Sequence, residues 1–207
     1  MCNLYRMTKV PSEVAQWFDA VDALGGANFG EEVYPGYPGL VVARGELRRM
    51  SWGFPLQMTG KRGQPLKPKP VNNARSDKLD SFFWRHSFEA RRCLIPVNAW
   101  AEAEGARGHM TRTWLSLASS ELFACAGIWC RSDEWGDCFA MVMTDAAGVA
   151  AEVHTRMPVI LAREDHALWT DGEVAAARTL CRPWRGDIVL DRTSTPWAGA
   201  SASVRLF

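Results

Sequence analysis

The chain contains the stretch LFACAGIWCRSDEWGDCFAMVMT at residues 122–144. Two apolar runs begin and end this stretch, and a short charged segment containing Gly136 separates them. Apolar runs of this length, bounded by charged residues and glycine, are typical of buried β-strands. The same pattern recurs upstream in RCLIPV, NAWAEA and TWLSLA, at residues 92–97, 98–103 and 113–118. These runs predict that the middle of the chain is rich in β-strands.

Helical patterns flank this β-rich middle. Pro11 begins an apolar stripe that stops at Gly25, which predicts a first helix between them. Further short helices are predicted over residues 146–152, 163–169 and 173–180. The chain has 207 residues, of which 47% are hydrophobic and 23% charged, as is usual for globular proteins. We therefore expect residues 1–207 to form a single domain with strands and helices.

Other strands are predicted outside the middle. Residues 40–43 and 47–52 predict a hairpin whose strands are joined around Arg44 and Gly45. The sequence IVLD at residues 188–191 predicts a late strand.

One segment has a marked charge bias. Residues 61–78, KRGQPLKPKPVNNARSDK, contain three prolines and clustered lysine and arginine, so we expect an extended basic loop there. Ser76 is then in position to cap a second helix. That helix is expected to contain the apolar residues Leu79, Phe82 and Phe83.

Charge and cysteine usage exclude several classes of protein. The 24 basic and 23 acidic residues leave a net charge of +1, so a nucleic-acid site has to be a local patch. No apolar run of membrane-spanning length and no secretory signal occurs, so we expect a cytoplasmic protein, associated with the nucleoid if bacterial. The small size and the near-zero net charge make a monomer the expected state. Because Cys125, Cys130 and Cys138 lack C-x-x-C spacing, we interpret them as buried apolar residues and expect no metal or cofactor.

Cys2 is the first candidate for chemistry. If Met1 is removed, Cys2 carries a free α-amine beside its thiol. Such a 1,2-aminothiol condenses with an aldehyde to an imine, which the thiol closes to a five-membered thiazolidine. The amine titrates near about 8 and the thiol near about 8.5, so both reach their nucleophilic forms close to neutral pH. A cysteine that only packs in the core is the alternative.

Two arginine-containing segments are candidates for binding anions. Residues 71–77, VNNARSD, lead towards a predicted helix, and Arg75 could hold a phosphate. A polar turn is the alternative interpretation. His154 lies beside Arg156 just before an apolar strand, where an imidazole could transfer protons and the arginine could hold a second phosphate. A structural histidine is the alternative.

A glutamate is the remaining candidate. Glu102 lies at the end of a predicted strand that contains Trp100, where partial burial would raise the pKa of its carboxyl and suit it to proton transfer. Glu104 lies on the same face of that strand and is the rival residue.

These segments, taken together and in order, resemble the SRAP family, the SOS response-associated peptidase domain proteins that crosslink to abasic sites in DNA. The resemblance implies an α+β domain with a curved, mainly antiparallel, barrel-like sheet flanked by short helices, and a basic cleft for single-stranded DNA. The matching segments are Met1-Cys2, Ser51-Trp52-Gly53, Asn73-Ala74-Arg75, Arg92-Cys93-Leu94-Ile95-Pro96 with Glu102, His154-Thr155-Arg156-Met157-Pro158 and Cys181-Arg182-Pro183-Trp184.

The resemblance also implies roles for individual residues. Cys2 would capture the C1' aldehyde of an open abasic deoxyribose through its amine and its thiol. Asn73 would orient the amino terminus and the sugar, Glu102 would shuttle protons, and His154 would donate a proton to the sugar oxygen. Lyase activity and removal of Met1 by the protein itself are also expected. The implied DNA contacts are phosphates held by Arg75 and Arg156 and a base stacked on Trp52.

The amino terminus departs from the common family pattern. Asn3 and Leu4 follow Cys2, where Gly-Arg is usual, so we expect the phosphate contact of position 4 to be lost or moved to Arg6. The segment Tyr34-Pro35-Gly36-Tyr37-Pro38 also replaces the usual Tyr-Asn-x-Ala-Pro.

Two other functions stay open on sequence alone. Cys, His and Asn also form the active sites of hydrolases, so a cysteine peptidase or amidase with Cys2 as nucleophile is one alternative. A non-catalytic module that binds single-stranded DNA through the basic segment 61–78 is the other.

Overall fold

The computed structural model describes residues 2–26 and 29–197. Strands make up most of it, and the helices are short. The strands are β1 (Tyr5–Arg6), β2 (Val21–Asp22), β3 (Glu32–Val33), β4 (Pro38–Ala43), β5 (Glu46–Trp52), β6 (Phe54–Thr59), β7 (Pro65–Val71), β8 (Asn73–Arg75), β9 (Arg92–Val97), β10 (Ala99–Glu104), β11 (Thr111–Leu117), β12 (Phe123–Ser132), β13 (Gly136–Asp145), β14 (Arg156–Pro158), β15 (Ile160–Leu161) and β16 (Ile188–Pro196). The helices are α1 (Pro11–Phe18), α2 (Arg85–Ala90), α3 (Ala150–Val153), α4 (His166–Asp171) and α5 (Val174–Thr179), and single 3-10 turns span Ser76–Lys78 and Arg163–Asp165.

A closed ring of five strands, in the order β13, β12, β9, β4 and β5, forms a barrel at the centre of the fold. Neighbouring strands are antiparallel except β5 and β13, which pair in parallel through Ser51 with Cys138 and Trp52 with Phe139 and so close the ring. The two apolar runs of residues 122–144 supply β12 and β13. The curved, mainly antiparallel and barrel-like sheet expected from the family resemblance is confirmed.

The barrel interior is tightly packed, and Gly127 on β12 shows how tightly. A Cβ atom at this position would lie 2.8 Å from Cys93 Sγ and 2.8 Å from a side-chain carbon of Ile95 on the neighbouring strand. Contacts that short do not occur in relaxed interiors. A side chain at residue 127 would therefore push β9 and β12 apart.

A second, antiparallel sheet with the strand order β16, β11, β10, β1 and β3 packs beside the barrel. Strand β10 follows β9 almost directly, so the chain passes from the barrel into this sheet at Asn98. The Ala101 N–H donates to the Leu4 carbonyl over 2.9 Å. This contact places the amino-terminal segment at the junction of the two sheets.

The predicted elements are largely present, but their lengths differ. Helix α1 ends at Phe18 because Asp19 adopts a left-handed φ of 52°, and the chain continues as β2. The predicted late strand is present and extends to Pro196. No helix within residues 2–26 and 29–197 is long and apolar enough to span a membrane.

The helix that Ser76 was expected to cap is absent. Ser76 instead begins a single 3-10 turn without a side-chain cap, and α2 begins only at Arg85. The intervening residues form turns. Within them, Phe83 lies against Phe54 of β6, with ring centroids 6.0 Å apart, and Leu79 is buried. These contacts with the rest of the fold are not visible in the local sequence pattern.

The basic segment 61–78 is not the extended loop that its prolines predict. Its first part forms the turn and the second strand of a hairpin made by β6 and β7. Strands β6 and β7 pair only with each other, from Phe54 with Val71 to Thr59 with Pro65. Each strand of a two-stranded hairpin has an unpaired edge, where a proline breaks no hydrogen bond. Prolines are therefore compatible with this hairpin.

Candidate active site

Two adjacent asparagines hold the backbone of Cys2. The Cys2 carbonyl accepts hydrogen bonds from Asn73 Nδ2 over 2.7 Å and from Asn72 Nδ2 over 3.0 Å. Asn72 Nδ2 also lies 3.2 Å from Asn3 Oδ1. Asn72 was not among the predicted site residues, although the Asn72-Asn73 doublet is visible in the sequence.

The Cys2 thiol is fully buried at the junction of the two sheets. It donates a hydrogen bond to the Leu4 carbonyl over 3.4 Å. Burial raises the pKa of Cys2 well above its usual value, and the negative charge of Glu102 raises it further. The thiol is therefore neutral near pH 7 and needs a base to become a nucleophile.

Asn73 is fixed by strand pairing as well as by Cys2. Strand β8 pairs in parallel with β13, with Asn73 opposite Met141, and the Asn73 side chain is buried. Its Oδ1 atom is buried and accepts no hydrogen bond from any residue in the described ranges. A buried acceptor of this kind is stabilised by a donor, so a ligand that supplies one is favoured there.

Glu102 and Glu104, the two rivals on β10, have opposite environments. Glu102 is 3% exposed, and burial raises the pKa of its carboxyl to about 7. Glu104 accepts a hydrogen bond from Thr113 Oγ1 over 2.6 Å and pairs with Arg192 over 3.0 Å. These contacts hold the pKa of Glu104 below its usual value. Only Glu102 therefore changes protonation state near neutral pH.

His154 lies directly after α3, which packs against β10 and β14. Its Nδ1 atom lies 3.0 Å from the backbone N–H of Arg156, which holds that side of the ring against the backbone. Burial lowers the pKa of His154, and the positive charge at the amino terminus of the chain lowers it further. The imidazole is therefore neutral at pH 7.

Arg75 and Arg156 lie on opposite sides of the end of β13. Met143 pairs with Arg75 on one side, and Asp145 pairs with Arg156 on the other. Asp77 binds the Arg75 guanidinium through two hydrogen bonds of 2.9 and 2.6 Å and lies 3.9 Å from Arg156. Asp77 thus holds both guanidinium groups in one charged patch.

A comparison with known protein families identifies the chain. The model of the SOS response associated peptidase (SRAP) family matches residues 1–195. The chain belongs to the SRAP family. Membership supports a general role for this SRAP protein in binding and crosslinking abasic-site DNA within the response to DNA damage. No curated protein matches the sequence.

Solved structures share the SRAP fold of this chain. A protein from Bacteroides thetaiotaomicron has a TM-score of 0.78 at 17% identity, covering 92% of this chain and 91% of its own. A protein from Bordetella bronchiseptica has a TM-score of 0.78 at 22% identity, covering 93% and 99%. A phage-related protein from the same organism has a TM-score of 0.67 at 19% identity, covering 93% and 94%.

Trp52 is not placed to stack on a DNA base, contrary to our expectation. Its side chain is fully buried in the barrel, where it packs edge-on against Tyr5 with ring centroids 5.0 Å apart and stacks on Phe139. The indole N–H donates to the Asn72 carbonyl over 3.0 Å. Trp52 therefore supports the asparagine that holds Cys2.

Arg6 also has partners within the SRAP protein, although we expected it to take over a phosphate contact. Its guanidinium pairs with Glu32 over 3.2 Å and lies 3.8 Å from the centre of the Trp114 ring. These contacts hold Arg6 in the second sheet.

Phe82 is an exposed aromatic residue that follows the arginine patch in sequence. It is 96% exposed and lies five residues after Asp77. Its apolar character suggested a buried helix face, so it was not among the predicted site residues. The neighbouring hairpin adds four exposed cations without an ion-pair partner among the described residues, namely Lys61, Arg62, Lys67 and Lys69.

No group of three or more His, Cys, Asp or Glu residues in the described part of the chain has the geometry of a metal site.

Proposed function

We propose that this SRAP protein captures the aldehyde of an abasic site in single-stranded DNA through Cys2, after Met1 has been removed. Met1 lies outside the described residues. The supporting observation is that Asn73 holds the Cys2 backbone over 2.7 Å while the nearby Glu102 has a pKa of about 7. An amine, a thiol and a proton carrier therefore meet in one buried site.

The first step joins the α-amine of Cys2 to C1' of the sugar. The amine adds to the aldehyde, and the resulting carbinolamine loses water to give an imine. The carboxyl of Glu102 donates a proton to the leaving hydroxyl, and its carboxylate takes up the proton that nitrogen releases. A pKa of about 7 makes both forms available at neutral pH, as this exchange requires.

The second step closes the ring. The Cys2 sulfur adds to the imine carbon, the thiol proton leaves, and the nitrogen gains a proton, which gives a thiazolidine with no further leaving group. The buried thiol is neutral, so a base must remove its proton. The carboxylate of Glu102 is the negative charge that acts on Cys2, and we assign it this task.

Asn73 and His154 act on the sugar. The buried Asn73 Oδ1 would accept a hydrogen bond from a sugar hydroxyl or from the α-amine. His154 is held by its Nδ1 side, so Nε2 is the atom that would give a proton to the ring oxygen as the closed sugar opens. A neutral imidazole suits this exchange.

The exposed groups would bind the DNA strand. Arg75 and Arg156 would hold the phosphates on either side of the lesion, with Asp77 displaced from them. Phe82, rather than the buried Trp52, would stack on a neighbouring base. The protein would act as a monomer wherever the cell exposes single-stranded DNA.

Intact mass tests this proposal directly. The processed protein is mixed with a single-stranded oligonucleotide carrying one abasic site, and we expect a denaturation-resistant adduct whose mass is the sum of both partners minus one water. An oligonucleotide with a tetrahydrofuran analogue, which lacks the aldehyde, should give none.

Cys2→Ser is the sharpest variant because it retains the α-amine and loses the thiol. It should form an imine that borohydride traps, but no adduct that survives without reduction. A stable unreduced adduct with Cys2→Ser, or with the tetrahydrofuran analogue, would refute thiazolidine formation.

A cysteine peptidase fits the site less well. Such enzymes depend on a thiolate that a nearby cation or base stabilises, whereas burial and Glu102 both raise the pKa of Cys2. Turnover of peptide substrates, measured beside adduct formation, separates the two functions. The binding-module alternative predicts that Cys2→Ala leaves function unchanged.

A further inference from the structure

A pair of thiols lies on strands β12 and β13 of the barrel. Cys130 on β12 and Cys138 on β13 are directly opposite each other in the antiparallel register. Side chains of directly opposite residues lie on the same face of a sheet. The Cys138 thiol donates a hydrogen bond to the Gly136 carbonyl over 3.5 Å, and the two thiols lie close enough to shift each other's pKa.

Backbone hydrogen bonds show which kind of pair this is. The N–H of the neighbouring Trp129 donates to the Arg91 carbonyl, and the carbonyl of the neighbouring Phe139 accepts from the Gly53 N–H. Both groups therefore point away from the partner strand of the β12–β13 pair. Residues 130 and 138 therefore exchange the ladder hydrogen bonds with each other. In such a pair the Cα atoms lie about 5.5 Å apart, which is within the Cα range of a disulfide. The Cβ atoms, about 4.5 to 5.5 Å apart, must approach each other by roughly 1 Å for the bond to close.

We propose that Cys130 and Cys138 are a reversible oxidation site, in which a peroxide converts the two thiols into a cross-strand disulfide while Cys2 stays reduced. Cys130 is half-buried and next to the exposed turn at residues 133–136, whereas Cys138 and Cys2 are fully buried. A peroxide therefore reaches Cys130 first, and Cys138 needs no access to solvent because its attack is intramolecular.

The oxidation proceeds in two balanced steps. The Cys130 sulfur attacks one oxygen of hydrogen peroxide, an S–O bond forms, the O–O bond breaks and one water leaves. The Cys138 sulfur then attacks the sulfenic acid, the S–S bond forms, the S–O bond breaks and a second water leaves with the Cys138 proton. Two electrons pass from the thiols to the peroxide.

Electrostatics supports the same pair. The interaction between the thiols lowers the pKa of Cys138 and raises that of Cys130, so Cys138 is the first of the two to lose its proton. The Cys138 thiolate can then take the proton of Cys130 as the Cys130 sulfur attacks the peroxide. Burial raises the pKa of Cys2, Cys93 and Cys125, and none of these three is paired with a thiol of lowered pKa.

Peptide mapping of the full chain tests the proposal. The protein is treated with equimolar hydrogen peroxide, alkylated without reduction and cut with trypsin, which cleaves after Arg131. We expect the loss of two hydrogens and a link between peptides 113–131 and 132–156 that dithiothreitol reverses. Oxygen added to Cys2 before this link forms, or no link at all, would overturn the proposal.

Variants assign the link to its residues. Cys130→Ser should abolish it, whereas Cys125→Ser, which changes the other cysteine of the same peptide, should leave it intact. Cys181→Ser is the matched control because Cys181 is also half-buried. The peptide map of the wild-type protein decides whether the disulfide forms, so the test does not depend on the variants being well folded. A link that persists in Cys130→Ser would refute the assignment.

Discussion

The two regions of the candidate site differ in how they use charge. Around Cys2, the side chains of Asn73 and Glu102 are buried, and burial has moved the pKa of Glu102 to about 7. Around Asp77, the arginines are partly exposed and paired with a carboxylate. Salt screens the interactions of buried charged groups only weakly, whereas it screens exposed ions strongly, and exposed ions exchange partners readily. The buried region therefore has the properties that proton transfer requires, and the exposed region those that reversible binding of an anion requires.

Removing the proton carrier should have the largest effect. In Glu102→Gln the side chain stays similar in size but cannot exchange a proton, so crosslinking should slow by about 10²- to 10⁴-fold. Single-turnover adduct formation on gels measures this rate. Glu104→Gln, two residues away on the same strand face, should react at the wild-type rate. Equal losses in both variants would contradict the distinct roles of the two glutamates.

The burial of Glu102 should also make the free energy of unfolding depend on pH. Folding raises the pKa of Glu102 to about 7, so the folded protein binds this proton more tightly than the unfolded chain does. The resulting stabilisation is complete at low pH and is lost as the pH rises through 7. Between about pH 4 and 8, the free energy of unfolding of the wild type should fall by about 3 kcal/mol relative to Glu102→Gln. Urea denaturation at both pH values measures this, and parallel pH profiles would count against a buried carboxyl.

Substitutions in the exposed region should change the affinity for single-stranded DNA rather than the rate of crosslinking. Phe82→Ala removes the proposed stacking surface and should weaken the binding of single-stranded DNA by about 1 to 3 kcal/mol. Val189→Ala is the control because Val189 is also an exposed apolar residue, 48% accessible, on β16. Fluorescence anisotropy with an undamaged oligonucleotide measures both variants. Equal affinities for Phe82→Ala and the wild type would remove Phe82 from the proposed DNA surface.

The smallest change should come from the carboxylate that competes with phosphate. Asp77→Asn frees Arg75, whereas Arg156 still lies 3.7 Å from Asp145, so binding of single-stranded DNA should tighten by roughly two- to fivefold at low salt. Asp80→Asn is the matched control, since Asp80 pairs with Arg178 instead. Weaker binding in Asp77→Asn would mean that Asp77 positions the arginines for DNA instead of competing with it.

The sequence predicted the elements that depend on local patterns. The apolar runs at residues 122–144 became β12 and β13 because alternation and bounding residues determine buried strands. The grouping of Cys2 with Asn73 was accessible only through resemblance to a family, since a hydrogen bond between residues so distant in sequence leaves no local signal.

The incorrect predictions have a common physical cause. We expected a DNA base to stack on Trp52, but the parallel pairing of Trp52 with Phe139 places Trp52 inside the closed barrel. Arg6 was misplaced because it pairs with Glu32, and Phe82 was misplaced because its neighbour Phe83 is the residue that packs against the fold, at Phe54. In each case a contact between distant segments decided the outcome.

The site is assembled from four widely separated parts of the chain, near residues 2, 73, 102 and 154. During synthesis, Cys2 leaves the ribosome long before His154 and the strands β13 and β14 exist. Long-range pairings of this kind form late in folding. A nascent SRAP chain therefore exposes its amino terminus before the groups that contact Cys2 in the folded protein have been made, and the candidate site is complete only after those later segments have folded.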